Sequence, residues 1–128
     1  MVINQKSKPT EAELQVLRII WKDGPSTVRY INDKLNESKH VGYTTTLKIM
    51  QIMLDKQLLS REIIENRHIY KALIGEKETQ SLLIDRIVTT AFAGSASKLI
   101  MQALGSYKPS KKELGMIKEI INKLEQES

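Results

Sequence analysis

The stretch Val41-Gly-Tyr-Thr-Thr-Thr-Leu-Lys-Ile-Met-Gln-Ile-Met-Leu-Asp-Lys-Gln-Leu-Leu59, continued by Ser60-Arg-Glu-Ile-Ile-Glu-Asn-Arg-His-Ile-Tyr-Lys-Ala-Leu73, decides the fold of this chain. The first part reads as one helix with a hydroxyl-rich start and an apolar second half. Ile49, Met50, Met53 and Leu54 form its inner stripe. The second part reads as a β-hairpin. Leu58 to Glu65 and His68 to Leu73 are rich in Ile, Leu and Tyr and are separated by Asn66-Arg67, which with His68 makes a basic tip. A helix followed by a basic two-stranded wing is the arrangement in which a winged helix meets DNA. One helix face enters the major groove, and the wing touches neighbouring phosphates.

The segments before it complete the pattern. Thr10-Glu-Ala-Glu13 is a capping box, with Pro9 just outside it. Leu14, Leu17, Ile20 and Trp21 recur on one helical face, Trp21 as a core residue, and Asp23-Gly24-Pro25 ends this first helix. Ser26-Thr27 can cap a second helix that buries Val28, Ile31 and Leu35 and shows Arg29, Asn32 and Lys34 outward. Asn36 to Gly42 lacks periodicity and reads as a turn. Helix, helix, turn, helix, hairpin is the order of a winged helix-turn-helix.

After Gly75 the character changes. Glu76 to Phe92 is amphipathic and Ala93-Gly94-Ser95 breaks it. A short helix starts at Ser95 or Ser97, Gly105 to Pro109 breaks again, and Ser110 with Glu113 caps a last helix. The apolar side chains Leu83, Ile84, Ile87, Val88, Leu99, Ile100, Leu104, Ile117, Ile120, Ile121 and Leu124 are many for three such helices to cover. Each gains about 1.5–3 kcal/mol on full burial, and a second copy of the chain is the simplest partner. The fold expected is therefore mostly α with a small β-hairpin. Residues 1–74 form a winged helix-turn-helix DNA-binding domain, and residues 75–128 form a three-helix dimerisation domain carried by Leu83, Ile87, Leu99, Ile100, Leu104, Ile117, Ile121 and Leu124.

Composition narrows the function. The chain has 128 residues and a net charge of +5. Residues 1–74 hold 12 Lys/Arg against 8 Asp/Glu (+4), and residues 75–128 hold 8 against 7 (+1). The cation excess thus sits with the winged helix, a modest nucleic-acid signal. Without cysteine there is no disulfide, thiolate metal site or thiol nucleophile. Two scattered histidines, His40 and His68, and the absence of a glycine-rich phosphate loop give no enzyme, metal or cofactor signal. The opening Met-Val-Ile-Asn-Gln-Lys-Ser-Lys-Pro is no signal peptide, and no apolar run reaches the roughly 18 residues of a membrane span. The expectation is a cytoplasmic, non-enzymatic protein without membrane insertion.

The candidate DNA-binding residues are Arg29, Tyr43, Thr44, Thr45, Lys48 and Arg67. Threonine can hydrogen-bond a base edge or set its methyl against a thymine methyl. Tyr43 can stack on sugar or bond a phosphate. Lys48 brings charge, and Arg67 serves backbone or minor-groove contact. Arg29, with Lys34 and Lys39, is placed for phosphate. A second reading of the same elements is a winged-helix protein–protein module that docks its third helix on a partner.

The chain also resembles the penicillinase-repressor (BlaI/MecI/CopY) family of bacterial transcriptional regulators, from about Pro9 to Leu124. The resemblance is carried by Pro9-Thr-Glu-Ala-Glu-Leu-Gln-Val-Leu-Arg-Ile-Ile-Trp21, Ser26-Thr-Val-Arg-Tyr-Ile31 and Tyr43-Thr-Thr-Thr-Leu-Lys-Ile-Met-Gln51, with the wing and the C-terminal Ala-Gly-Ser matching in placement. It implies a homodimeric repressor on a palindromic operator of β-lactamase or antibiotic-resistance genes. It further implies inactivation when a membrane sensor-protease cuts the dimerisation domain. The best-known members are cut at an Asn-Phe pair; the matching pair here is Gln102-Ala103. The cysteine-rich signature of the copper-responsive branch is absent. Gln57 stands where many members have Gly, and Ile52 where many have Arg.

Overall fold

The computed structural model describes residues 8–128. Residues 1–7, on which much of the signal-peptide expectation rests, lie outside the described residues. Six helices and one antiparallel hairpin follow in the order α1 (Glu11–Asp23), α2 (Val28–Leu35), α3 (Tyr43–Asp55), β1 (Leu59–Ile64), β2 (Arg67–Ala72), α4 (Glu76–Ala91), α5 (Ala96–Tyr107) and α6 (Lys111–Glu127). The chain is thus mostly helical with a winged-helix arrangement, and it divides into two compact units, Met1–Ser81 and Leu82–Ser128. Among the described residues no single helix is long and apolar enough to cross a membrane; only α4 and α5 together, bent at their break, pass on length and composition.

The first unit has one core. Val16, Leu17 and Ile20 of α1, Val28, Ile31 and Leu35 of α2, Met50 and Met53 of α3, and Leu58, Leu59, Tyr70 and Ile74 are all buried. Both halves of the Thr10–Glu13 capping box form. Glu13 is itself buried, and its carboxylate accepts from the Lys56 ammonium at 2.6 Å, tying the start of α1 to the end of α3. Trp21 is half-buried against this core, and its indole N–H donates to the Ile74 carbonyl at 2.9 Å.

Several boundaries differ from the sequence reading. Thr27 alone caps α2. Ser26 instead exchanges backbone hydrogen bonds with Tyr70 (3.0 and 2.8 Å), an isolated antiparallel bridge against β2. The helix read to Leu59 stops at Asp55. There the Leu58 N–H bonds the Met53 carbonyl (2.9 Å) and the Gln57 N–H bonds the Leu54 carbonyl (3.0 Å), with Gln57 left-handed at φ 63°. This is a Schellman motif whose left-handed position usually belongs to glycine. Burial of Leu58 and Met53 holds it shut. The wing tip is Glu65-Asn66 rather than Asn66-Arg67-His68: both tip residues have positive φ, 51° and 64°, and Ile64 pairs with Arg67. A two-residue primed turn matches strand twist. Arg67 and His68 therefore begin β2. In the second unit α5 continues through Gly105 to Tyr107, and the break comes at Lys108, whose φ is 44°.

The Gln57 conformation gives a direct test. A left-handed non-glycine residue costs about 1–2 kcal/mol, partly offset by glycine's greater freedom in the unfolded chain. Gln57→Gly is expected to stabilise the protein by about 1 kcal/mol and to raise its melting temperature by several degrees. A calorimetric scan showing no rise would contradict the strain assigned to this turn.

No residue of the second unit is buried. Ile87, Ile100, Ile121 and Leu124 are exposed, while Leu83, Leu99, Leu104 and Ile117 are half-buried. Ser95 and Ser110 cap α5 and α6, the latter with a complete capping box in which backbone and side-chain bonds to Ser110 lower the Glu113 pKa. These helices are well started but have no interior of their own.

Candidate nucleic-acid interface

Four sides of α3 are distinct. Thr46, Met50 and Met53 face the core. Tyr43 and Leu47 turn towards the wing, and Thr45 and Ile49 turn towards α1 and the preceding turn. The outward side carries Thr44, Lys48 and Gln51 at helical spacing, all exposed, with exposed Ile52 beside them. Thr44, Thr45 and Lys48 are thus open to solvent, as a groove-entering helix needs. Gln51 shares their stripe; its spacing of three from Lys48 is the sequence signal that places it there, within the otherwise apolar second half of the helix.

Beside α3 lies a cleft of about 460 Å³ lined by Thr27, Val28, Arg29, Tyr43, Leu47, Arg61, Arg67, His68 and Tyr70. Strand register explains its composition. Arg61 pairs with Tyr70 and Ile63 with His68, so these side chains share one face of the wing. The Ser26–Tyr70 bridge clamps that face beside the start of α2. Arg29 and Arg61 line the cleft from α2 and from this face, and Arg67, at the start of β2 beside the tip, lines it as well. The sequence reading missed Arg61 because its direction depends on strand register. The guanidinium of Arg29 lies 5.1 Å from the ring centroid of Tyr43, a cation–π contact between α2 and α3. Next to Arg29, the Tyr30 hydroxyl donates to Asp23 at 2.8 Å, which raises its pKa.

Three arginines and a histidine line the cleft and no carboxylate does. Neither α2 nor α3 carries an acidic residue in its first turn, and the Gly42 cap offers α3 no side-chain hydrogen bond. The partial positive charge of these helix starts is left for an incoming anion. The arrangement suits a chain of phosphates seated against a polar helix face.

Of the other predicted positions, Gln102 is exposed on α5, where its amide donates to Ser106 at 3.1 Å, and Ala103 is half-buried in the same unbroken helix.

Comparison with known proteins agrees with this geometry. A family described as penicillinase repressor matches residues 9–123. No curated protein matches. Among solved structures, the chain is similar to that of a MarR family protein from Bacillus stearothermophilus, with 20% identity over 93% of this chain and 74% of that one and a TM-score of 0.55. At that identity the likeness concerns the fold.

Proposed function

Because the chain belongs to the penicillinase-repressor family of DNA-binding transcriptional repressors, we propose that it acts as a homodimer on a palindromic operator, residues 1–74 binding DNA and residues 75–128 joining the protomers. The α3 stripe of Thr44, Lys48 and Gln51 enters the major groove, with Thr45 at its margin. Gln51 can pair bidentately with adenine, and the threonine methyls can meet thymine methyls. Arg29, Arg61 and Arg67, with Tyr43, hold the backbone alongside. The apolar faces of α4 to α6 cover one another across the dimer, which pairs two weak half-site contacts into one strong one. The observation that carries this reading is the exposed polar stripe of α3 beside an arginine cleft without carboxylates.

Family membership supports genes of the β-lactamase or resistance type as targets and proteolysis in the second unit as the route of induction. Here the pair at the family's cut position, Gln102-Ala103, lies inside a regular helix. A membrane sensor-protease would have to unwind it and to accept alanine in place of phenylalanine.

Hydroxyl-radical footprinting of the DNA upstream of the protein's own gene tests the assignment. Two protected half-sites are expected, related by a dyad, with centres about 10 base pairs apart or a multiple of that. Uniform cleavage at saturating protein would refute it.

A further inference from the structure

The connection between α2 and α3 is organised by side-chain amides. Asn32 sits in the second helix, where the sequence pattern alone puts it on the outer side. In the structure it is half-buried, and its Nδ2 donates both to the Thr46 hydroxyl at 2.8 Å and to the Val41 carbonyl at 3.0 Å. Asn36 supports the same point: its Nδ2 donates to the Val41 carbonyl (2.8 Å) and the Asn32 carbonyl (2.7 Å), and its Oδ1 accepts from the Val41 N–H (3.1 Å). Thr46 is fully buried among aliphatic side chains on the inner face of α3. Among the described residues no buried side-chain polar atom lacks a partner.

Apart from the exposed Arg29–Tyr43 cation–π contact, the rest of the α2–α3 contact is made by apolar groups such as Ile31, Leu35 and Met50. Dispersion is non-directional, so these groups hold the helices together but fix rotation about the α3 axis weakly. The start of α3 has no side-chain cap to fix it either. A hydrogen bond is directional, and leaving the Thr46 hydroxyl unmatched inside the core is unfavourable. The Asn32–Thr46 bond thus sets the azimuth of α3. Thr44, Lys48 and Gln51 lie on the side away from Thr46, so the same bond aims the outward stripe.

We propose that Asn32 is a positioning residue for sequence discrimination: through Thr46 and Val41 it fixes the rotation of α3, and so the aim of Thr44, Lys48 and Gln51 at base edges, without touching DNA. This role rests on the DNA-binding reading above. It separates two properties of one surface. The arginine cleft sets how tightly any duplex is held, and Asn32 sets how well one sequence is told from another.

The test uses the full chain and fluorescence anisotropy, comparing the footprinted operator with a scrambled duplex of equal length at the same salt. Asn32→Ala and the near-isosteric Thr46→Val, which removes only the acceptor, are each expected to lower the operator-to-scrambled affinity ratio about tenfold. Affinity for scrambled DNA and its salt dependence should stay within about twofold of the parent, because the phosphate contacts are intact. Thr46→Ser, which keeps the hydroxyl, should preserve the ratio. The double variant should be no worse than the worse single one, since both break the same Asn32–Thr46 bond. Trp21 fluorescence reports whether each variant is folded, and Thr46→Val tests the bond independently if Asn32→Ala does not fold. An unchanged ratio, or equal losses on both duplexes, would overturn the positioning role while leaving the repressor assignment standing. A parent chain that fails to prefer its operator would overturn that assignment, and this role with it.

Discussion

Replacing Ile117 and Ile121 with aspartate is expected to yield a monomer of 14.6 kDa and to weaken operator binding by at least about a hundredfold. Both positions lie on α6, in a unit that buries no residue of its own. The apolar groups of α4 to α6 remain in water unless something covers them, at about 1.5–3 kcal/mol each relative to full burial. Contiguous exposure on this scale marks an association surface, and a second copy supplies a matching one by twofold symmetry. Two charges placed there would have to be desolvated on pairing, which reverses the gain. The winged-helix unit has a separate core, so Trp21 fluorescence and the unfolding of that unit should stay near those of the parent. Sedimentation and operator titration together decide the matter. A variant that stays dimeric, or a monomer that binds the operator as tightly as the parent, would refute the assignment of α4 to α6.

The second large effect concerns the cleft. Arg29→Gln, Arg61→Gln and Arg67→Gln combined should weaken operator and scrambled DNA in parallel, by about a hundredfold or more at moderate salt. Each cation that neutralises a phosphate releases condensed counterion, with a slope of about 0.9 per contact in log affinity against log salt. Three arginines in each of two protomers correspond to a flattening of roughly 5 in that slope. The discrimination ratio should change little, since these side chains do not face the α3 stripe. Loss of discrimination at an unchanged slope would mean that the arginines read bases instead.

The sequence made the architecture legible because its signals are local. The Thr10–Glu13 capping box, the Gly24-Pro25 stop and the apolar spacing through α1 and α2 each act within one or two turns. So do the caps at Ser95 and Ser110. What it hid depends on contacts between distant segments or on strained backbone. Helix propensity carried α3 past Asp55, but burial of Leu58 forces the left-handed turn at Gln57 that ends it. Glu13 and Lys56 are 43 residues apart, and their pairing has no local signature. The position of the wing tip followed from which residues accept positive φ, and Glu65 is an uncommon occupant of such a site.

The candidate site divides in the same way. Thr44, Thr45 and Lys48 were legible because their exposure follows from helical period once the inner stripe is known. Arg61 was not, since only the register Arg61↔Tyr70 and the bridge from Ser26 turn it into the cleft. Asn32 was misplaced outward because a polar residue on an amphipathic helix is ordinarily solvated. Its partner Thr46 lies in the same hydroxyl-rich run as the exposed Thr44 and Thr45, but the helical period turns it about 100° from Thr45 and into the core.

The α3 surface and the arginine cleft of two protomers are expected to grip a DNA duplex together. The salt dependence of operator affinity for the unmodified chain measures this grip most directly. With Arg29, Lys48, Arg61 and Arg67 engaged in both protomers, log affinity should fall with log salt at a slope of roughly −7. A slope near zero, or binding that saturates at one protomer per operator, would contradict it.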